Sequence, residues 1–283
     1  MPLPRLMKSP TITPSAITPV RGPPEFRTKE ELLETISASR LGTWLSCRLK
    51  FYFRYLSGIC KAPTPAMHVG TVIHAVLQQW NLSRWSMHPL ASTTITNLFD
   101  ALWSSKKPSK EIRWENTEGE IKASAFALLQ TYLRDTPIPL NEKPEGVEVA
   151  VEMDLSRYGL PTLVGIIDLV RSGGRIVDFK NTSRTPDPQK ILHTTEVQTT
   201  AYALLYREAT DQRESGIELH HLVRLKNPKL VVTQAGPASA QQFSRLFRLI
   251  ESYTRELEHE DFVPAPGLQC SHCEYFGECR RWS

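Results

Sequence analysis

The chain has 283 residues, of which 40% are hydrophobic and 23% are charged, and its formal net charge is +4. This composition is ordinary for a soluble globular protein, and the length fits one large domain or one domain with a helical insert. No apolar run approaches the roughly 20 residues that cross a bilayer, and the N-terminus lacks the apolar segment of a secretory signal. The small positive charge permits a nucleic-acid partner but does not require one.

The five cysteines are an odd number, and three of them lie close together near the C-terminus. This distribution argues against a secreted disulfide framework. We therefore expect a reducing, cytoplasmic setting, in a bacterial, archaeal or viral-host cytosol.

Residues 1–25 contain seven of the 21 prolines, together with several serines and threonines. Such a composition predicts a disordered or polyproline-like leader without a packed core. The remaining residues, 26–283, are expected to form one domain.

Two helices are predicted between residues 28 and 56. The first begins at Thr28, with acidic residues in its first turn, and the second is capped by Ser37 or Ser39. Apolar side chains recur in the second at helical spacing: Leu41, Trp44, Leu45, Phe51 and Tyr55. Basic residues alternate with the aromatic ones, which could follow a phosphate backbone and stack on bases. Aromatic residues of a helix core are the commoner explanation of such a pattern.

A helical segment is predicted over residues 66–134. Its first helix begins near Ala66 and contains His74 in an apolar register, four residues after Gly70. A histidine in this setting is more often a hydrogen-bonded core residue than a metal ligand. Two further helices, at residues 92–107 and 117–134, carry no recognisable chemistry.

Residues 145–155 alternate polar and apolar side chains, as a half-buried strand does. Glu148, Glu152 and Asp154 lie on one face of this strand. They fit a solvated edge, which is the better interpretation for Asp154.

A β-hairpin is predicted next, with strands at Leu163–Arg171 and Arg175–Lys180 joined by the turn residues Ser172, Gly173 and Gly174. A three-residue loop pairs Arg171 with Arg175. Counting outward from that pair brings Asp168 opposite Asp178.

Two carboxylates opposed across an apolar hairpin repel each other, and their burial is costly unless a cation lies between them. Asp168 and Asp178 therefore predict a bound divalent metal, and Lys180 lies on the same face as Asp178. The alternative is a hairpin with two solvated aspartates and a surface lysine.

A helix is predicted from about Lys190, and it places Gln198 and Tyr202 on one face. Two strands at residues 217–226 and 229–235 and a long amphipathic helix at residues 238–259 follow. Residues 145–260 would thus form a core of mixed strands and helices.

The C-terminal tail contains Cys270, Cys273 and Cys279. Three cysteines within ten residues, two of them at C-x-x-C spacing, suit thiolate ligation of zinc or of an iron–sulfur cluster. A fourth ligand must come from elsewhere because His272 is poorly placed between two cysteines. Cys47 is the candidate, which leaves Cys60 as a spare thiol.

The motifs occur in the order Cys, Gly-x-x-x-His, Gly-x-x-Asp, Asp-x-Lys, Gln-x-x-x-Tyr, Cys triplet. This order resembles the PD-(D/E)XK nuclease superfamily, in its RecB-like and CRISPR-associated RecB-like exonuclease branch. Arg48 follows Cys47 where that branch usually has proline. The resemblance implies an α/β fold: a restriction-endonuclease-like mixed sheet flanked by helices, with an N-terminal helical segment and a C-terminal cysteine cluster.

The resemblance also implies roles for individual residues. His74, Asp168, Asp178 and the carbonyl of Phe179 would hold Mg²⁺ or Mn²⁺. Related nucleases often have an acidic residue near the metal on the strand at residues 145–155, which makes Glu148 or Glu152 a candidate. Lys180 would orient a water or stabilise the transition state. Gln198 and Tyr202 would position the strand, with Arg184 as a further phosphate contact. Residues 264–283 together with Cys47 would form an iron–sulfur module. Its [4Fe–4S] cluster, which is favoured over zinc, would be held by Cys47, Cys270, Cys273 and Cys279.

The function that the resemblance implies is a Mg²⁺- or Mn²⁺-dependent exonuclease. It would act on single-stranded DNA or duplex ends, in recombination, repair or CRISPR-adaptation-like processing. A helicase or integrase-type protein, or a second copy of the chain, would be its protein partner. The alternatives are a non-catalytic DNA-binding subunit, a zinc-stabilised structural protein and a sequence-recognising endonuclease.

Overall fold

A computed structural model describes residues 27–106, 112–114 and 117–282. The leader predicted at residues 1–25 lies outside the described residues. Of the helices in the described part of the chain, none is both long enough and apolar enough to span a bilayer.

The N-terminal elements are short and capped. Helix α1 spans Lys29–Glu34 and has a complete capping box, in which Thr28 and Glu31 bond each other's backbone amides. Strand β1 spans Thr35–Ser37, and helix α2 spans Ala38–Ser46 with Ser37 as its N-cap, as predicted. The sequence pattern did not predict β1, which has only three residues.

Helix α2 does not continue unbroken to residue 56. Cys47 has an extended backbone and starts helix α3, Arg48–Phe51, which runs into a π-helical turn at Tyr52–Leu56. Of the apolar residues at helical spacing, Leu45 is 46% exposed, whereas Trp44 is buried. The aromatic residues of this stretch pack mainly inside the protein, as the commoner explanation required.

Three helices cover one face of the sheet. They are α4, Pro65–Trp85, α5, Ser92–Ser105, and α6, Glu118–Asp135, in agreement with the predicted helical segment. Their apolar side chains form one buried cluster with those of the sheet, including Val177 and Phe179.

The sheet has six strands, and it is mixed. Besides β1 it contains β2, Gly146–Met153, β3, Thr162–Arg171, β4, Arg175–Thr182, β5, Gly216–Val223, and β6, Lys229–Ala235. The strand order is β1-β3-β4-β5-β6. Strand β2 lies outside this order and pairs with the edge of β3 opposite to β1 and β4. The β1–β3 and β4–β5 pairs are parallel, and the other pairs are antiparallel.

One edge of β3 is shared by two strands. Strand β1 pairs with residues 162–164 of β3, and β4 pairs only with residues 169–171, while β2 runs along the opposite edge. The predicted pair Arg171 and Arg175 is present, and the ladder ends at Leu169 and Val177. Strand β4 therefore leaves β3 directly before Asp168, and this departure opens a gap in the sheet.

The other face of the sheet is covered mainly by helices α8, Glu196–Thr210, and α9, Ala240–Glu258. The helix predicted from Lys190 is in fact two helices, because α7, Pro188–Thr194, ends before Thr195 and α8 begins after it. The sheet thus lies between two helical layers.

The C-terminal segment returns to the N-terminal helices. It ends in helix α10, Phe276–Cys279. Leu49, Phe53 and Tyr275 form a small buried cluster, and Leu49 donates its amide proton to the carbonyl of Val263. The hydroxyl of Tyr275 donates to the carbonyl of Ile59. These contacts fasten residues 263–279 to α3.

Candidate active site

Asp168 lies where β4 leaves β3. One of its carboxylate oxygens, Oδ2, accepts a hydrogen bond of 2.9 Å from the backbone amide of Phe179, in place of a regular ladder bond. The same oxygen is 3.7 Å from Nδ1 of His74, which projects from α4. The rings of His74 and Phe179 meet edge to face at 6.0 Å between centroids. The gap in the sheet thus brings a helix residue and a strand carboxylate together.

Glu148 lies on β2, which pairs with the edge of β3 opposite to β4, and its carboxylate is close to that of Asp168. Its φ of 49° is in the left-handed region, which costs a non-glycine residue about 1–2 kcal/mol. Its neighbours Val147 and Val149 pair regularly with Leu169 and Ile167, so the distortion is confined to one residue. Burial and the neighbouring Asp168 carboxylate raise the pKa of Glu148 to about 8.

His74, Glu148 and Asp168 each offer one ligand atom, and these three atoms lie within 4.8 Å of one another. Imidazole nitrogen and carboxylate oxygen are suitable ligands for divalent cations such as Mn²⁺ and Mg²⁺. Holding two carboxylates together costs free energy, as the positive φ and the raised pKa of Glu148 indicate. A bound cation would offset this cost in free energy. The residues present therefore fit a divalent metal ion.

Asp178 is 2% exposed and lies next to this group. Its Oδ2 is 2.8 Å from Nζ of Lys180, and its Oδ1 accepts a hydrogen bond of 3.1 Å from Nε2 of Gln198. Burial raises the pKa of Asp178 to about 6, although the Lys180 ammonium opposes that shift, and the Asp168 carboxylate adds to it. In the structure Asp178 is thus directly paired with Lys180, and the second carboxylate beside Asp168 is that of Glu148.

Gln198 connects Lys180 to Tyr202. Its side-chain oxygen accepts a hydrogen bond of 2.7 Å from Lys180, and its Nε2 donates to the Tyr202 hydroxyl at 2.9 Å. Burial, together with the carboxylates of the site, raises the pKa of Tyr202 well above its ordinary value. Tyr202 is therefore a neutral phenol. Gly165 on β3 allows α8 to pack this closely, because a Cβ there would lie 2.6 Å from Cδ1 of Leu205 on the same helix.

The sequence-predicted residues do not all converge here. His74, Asp168, Asp178, Lys180, Gln198 and Tyr202 form a connected group, and the amide of Phe179 joins it. The other acidic candidates on β2 and after it, Glu152 and Asp154, are exposed, and Asp154 accepts the amide of Ser156. Arg184 is also exposed, in the loop beyond β4.

The four cysteines singled out by the sequence line a single pocket of about 80 Å³, between α3 and the C-terminal segment. The backbone amides of Lys50 and Ala265 both donate to the sulfur of Cys47, at 3.5 Å each. Burial and the three neighbouring thiols raise the pKa of the Cys279 thiol. All five cysteines are free, and Cys60 is exposed.

Comparisons with known proteins agree with this architecture. The crystal structure of a protein from Eubacterium rectale, provisionally described as an exonuclease, is similar over 90% of this chain and 91% of its own, with a TM-score of 0.54 and 12% identity. The structure of SSO0001 is similar over 89% of this chain and 91% of its own, with 12% identity, and its TM-score of 0.41 supports no inference. At such identities the first similarity concerns the fold alone.

No curated protein matches the chain significantly. The sequence profile of the PD-(D/E)XK nuclease superfamily, by contrast, matches residues 35–280. That range includes all six strands of the sheet and each member of the group around Asp168. The mixed sheet between helices is the fold of that superfamily, and the chain belongs to the PD-(D/E)XK nucleases.

Proposed function

We propose that this protein is a Mg²⁺- or Mn²⁺-dependent deoxyribonuclease that hydrolyses phosphodiester bonds at DNA ends. The observation that carries the proposal is the close approach of the Glu148 and Asp168 carboxylates near the Lys180 ammonium. This approach involves backbone strain at Glu148 and repulsion between two like charges. Such an arrangement lowers the stability of the metal-free fold. Carboxylates with strongly shifted pKa values and strained backbones concentrate at functional sites.

His74, Glu148 and Asp168 would hold the metal ion, and Asp178 and the carbonyl of Phe179 are further ligand candidates beside them. When bound, the ion supplies Lewis-acid polarisation of the phosphate and a water of lowered pKa. Oxygen ligands favour Mg²⁺ and Mn²⁺, and the imidazole of His74 adds tolerance for Mn²⁺.

Lys180 would act on the reacting phosphate. Its ammonium is held by Asp178 and Gln198, so its position is fixed before substrate arrives. A preorganised cation stabilises the negative charge that develops in the transition state, and it can orient the attacking water. Gln198 would hold Lys180 and Asp178 in place, and the neutral hydroxyl of Tyr202 would contact the strand.

DNA ends are proposed as the substrate from the superfamily membership and from the provisional exonuclease assignment of the Eubacterium rectale protein. Single-stranded ends are the first candidate, in recombination, repair or CRISPR-adaptation-like processing. A helicase or integrase-type protein, or a second copy of the chain, remains the proposed protein partner.

The cysteine pocket is proposed to hold a [4Fe–4S] cluster on Cys47, Cys270, Cys273 and Cys279. All four cysteines line the same pocket. Amide protons directed at the Cys47 sulfur are typical partners of a thiolate ligand. Thiolates suit zinc and iron alike, and the cluster is proposed because the cysteine pattern resembles that of the iron–sulfur RecB-like nucleases.

The proposal is tested with end-labelled single- and double-stranded DNA and with circular DNA, each with Mg²⁺ or Mn²⁺. We expect linear strands to be shortened from an end and circles to persist. Lys180→Met should lower kcat by about 10²–10³-fold, the effect of removing one preorganised electrostatic group.

Lys190→Met is the matched control, because the Lys190 side chain is 84% exposed and lies outside the site. It should retain wild-type activity. Wild-type protein that binds DNA but cleaves neither form with either metal would instead indicate a non-catalytic DNA-binding subunit. Cleaved circles would indicate an endonuclease.

A further inference from the structure

A second polar pocket lies beyond the end of β4. It has a volume of about 240 Å³, and it is lined by Ala66, Val69, Asn181, Thr182, Ser183 and Arg224. Asn181 directly follows Lys180, and Thr182 lies two residues beyond it, which is roughly 7 Å along the strand. The amide of Arg224 donates to the carbonyl of Thr182 at 2.8 Å, so this arginine is held at the same end of the sheet.

The pocket contains donors without acceptors. Within the described residues, the guanidinium of Arg224 makes no ion pair. The side-chain nitrogen of Asn181 is enclosed by protein and likewise has no hydrogen-bond partner there. A buried donor left unpaired costs about 1–3 kcal/mol, so a rotation that directs this nitrogen at an acceptor in the pocket would be favoured. The hydroxyl of Ser183 is an additional exposed donor in the pocket lining.

The start of α4 contributes a further donor. The N-cap Thr64 accepts the amides of Met67 and His68, and Pro65 has no amide proton. The amide of Ala66 is therefore the one in the first turn that makes no hydrogen bond within the described chain. The N-terminus of a helix favours anions, so Ala66 and Arg224 together make the pocket attractive to negative charge.

The distance from the metal site is also informative. Gly70 lies four residues before His74 on the same face of α4, and a Cβ at Gly70 would be 4.0 Å from the Asn181 side-chain nitrogen. Four to eight helical residues, from Gly70 or Ala66 to His74, correspond to roughly 6–12 Å. A nucleic-acid strand with one phosphate at the metal site would place a neighbouring phosphate within this range.

We propose that the pocket of Asn181, Ser183, Arg224 and the first turn of α4 is a phosphate-binding subsite for the substrate strand. It would hold a phosphate next to the one that is cleaved. This inference rests on the proposed nuclease function. The phosphate is either an internal phosphodiester or a terminal phosphate, and both present the same anionic oxygens to these donors.

The test compares Arg224→Ala with Lys226→Ala, a change of an exposed cation two residues away that does not line the pocket. We expect Arg224→Ala to raise KM by about tenfold, because a hydrogen bond to a charged group is lost, with kcat within twofold. Strand affinity is measured in a Lys180→Met background, which prevents cleavage. There the slope of log affinity against log salt should flatten by about 0.7 for one lost phosphate contact.

A set of oligonucleotides locates the phosphate. Each carries one neutral methylphosphonate at a different internal position, or a terminal hydroxyl in place of a terminal phosphate. With Arg224 present, one of these changes should weaken binding by about tenfold, and the same change should have no further effect in Arg224→Ala. The position of the sensitive group distinguishes an internal from a terminal phosphate.

The subsite is refuted if Arg224→Ala behaves like Lys226→Ala, or if every methylphosphonate penalty persists in Arg224→Ala. Both results require a wild-type protein that cleaves DNA, and they leave the nuclease function intact. If the wild-type protein cleaves no strand at all, the nuclease proposal fails, and the subsite fails with it.

Discussion

At the scale of single residues, Glu148 carries the most information about the site. It is the only described non-glycine residue inside a strand with a positive φ, and its carboxylate faces that of Asp168. The alternation of residues 145–155 predicted that Glu148 and Glu152 share a face, but it could not say which of them reaches the hairpin. Glu148 is identified only by the register in the structure, where Val147 lies opposite Leu169 and Val149 opposite Ile167.

The raised pKa of Glu148 predicts how stability depends on pH in the metal-free protein. Its pKa increases from 4.5 to about 8 on folding, so between these values the native state binds more protons than the unfolded state. The free energy of unfolding therefore falls as pH rises from about 5 to 8, by a few kcal/mol at most. Asp178, with its pKa raised to about 6, adds to the fall at the acidic end of this window.

Thermal unfolding with a chelator present checks this prediction. Glu148→Gln should raise Tm at pH 8 and change it little at pH 5, whereas the exposed Glu152→Gln on the same strand should behave as the wild type at both values. Saturating Mn²⁺ should stabilise the wild type more than Glu148→Gln. Equal gains at pH 5 and pH 8 would show that the substitution acts by packing rather than by charge.

At the scale of elements, the decisive feature is the close packing of α8 on β3. A Cβ at Gly165 would lie 2.6 Å from Cδ1 of Leu205, a side chain that is fully buried. Gly165→Ala should therefore push α8 outward and cost about 1–3 kcal/mol of stability through overpacking. Gln198 and Tyr202 move with α8, so kcat should fall as well.

Gly42→Ala is a matched control, because Gly42 is an exposed position in α2 with no atom within 4 Å of the added Cβ. This change should stabilise the protein by about 0.5–1 kcal/mol and leave cleavage unchanged. Chemical unfolding and cleavage rates are measured for both variants. A Gly165→Ala variant with full stability and full activity would contradict the proposed role of this contact.

The elements also show what a single sequence can establish. The hairpin was predictable because Ser172, Gly173 and Gly174 fix the turn, and the turn fixes the pair Arg171 and Arg175. The early departure of β4 was not predictable, since nothing in the hairpin pattern indicates that β1 also pairs with this edge of β3. A three-residue strand such as β1 has no periodicity to detect. The break after α2 was missed because Cys47 adopts an extended backbone inside a continuous helical pattern.

At the scale of the whole molecule, the two ends of the described chain are joined through the cysteine pocket. Lys50 pairs with Glu274 and Lys61 with Glu278, in addition to the apolar contacts around Tyr275. The order of motifs along the sequence predicted that Cys47 joins the C-terminal triplet, and the pocket places them together.

Substitution of Cys47 tests the proposed cluster. After anaerobic purification, the wild-type protein should contain about four iron atoms per chain and should absorb visible light at about 400 nm. Cys47→Ser should lose both properties and lower Tm by about 5–10 °C, because a linkage between distant segments is removed. Cys60→Ser should keep the iron, the absorbance and the Tm. One zinc ion per chain in place of iron would contradict the cluster.

The return of the C-terminal segment to α3 has a consequence for biosynthesis. Leu49 and Phe53 are translated more than two hundred residues before Tyr275, against which they pack. Their apolar surface therefore stays uncovered while the intervening residues are synthesised. A nascent chain interrupted before residue 263 would lack these closing contacts altogether.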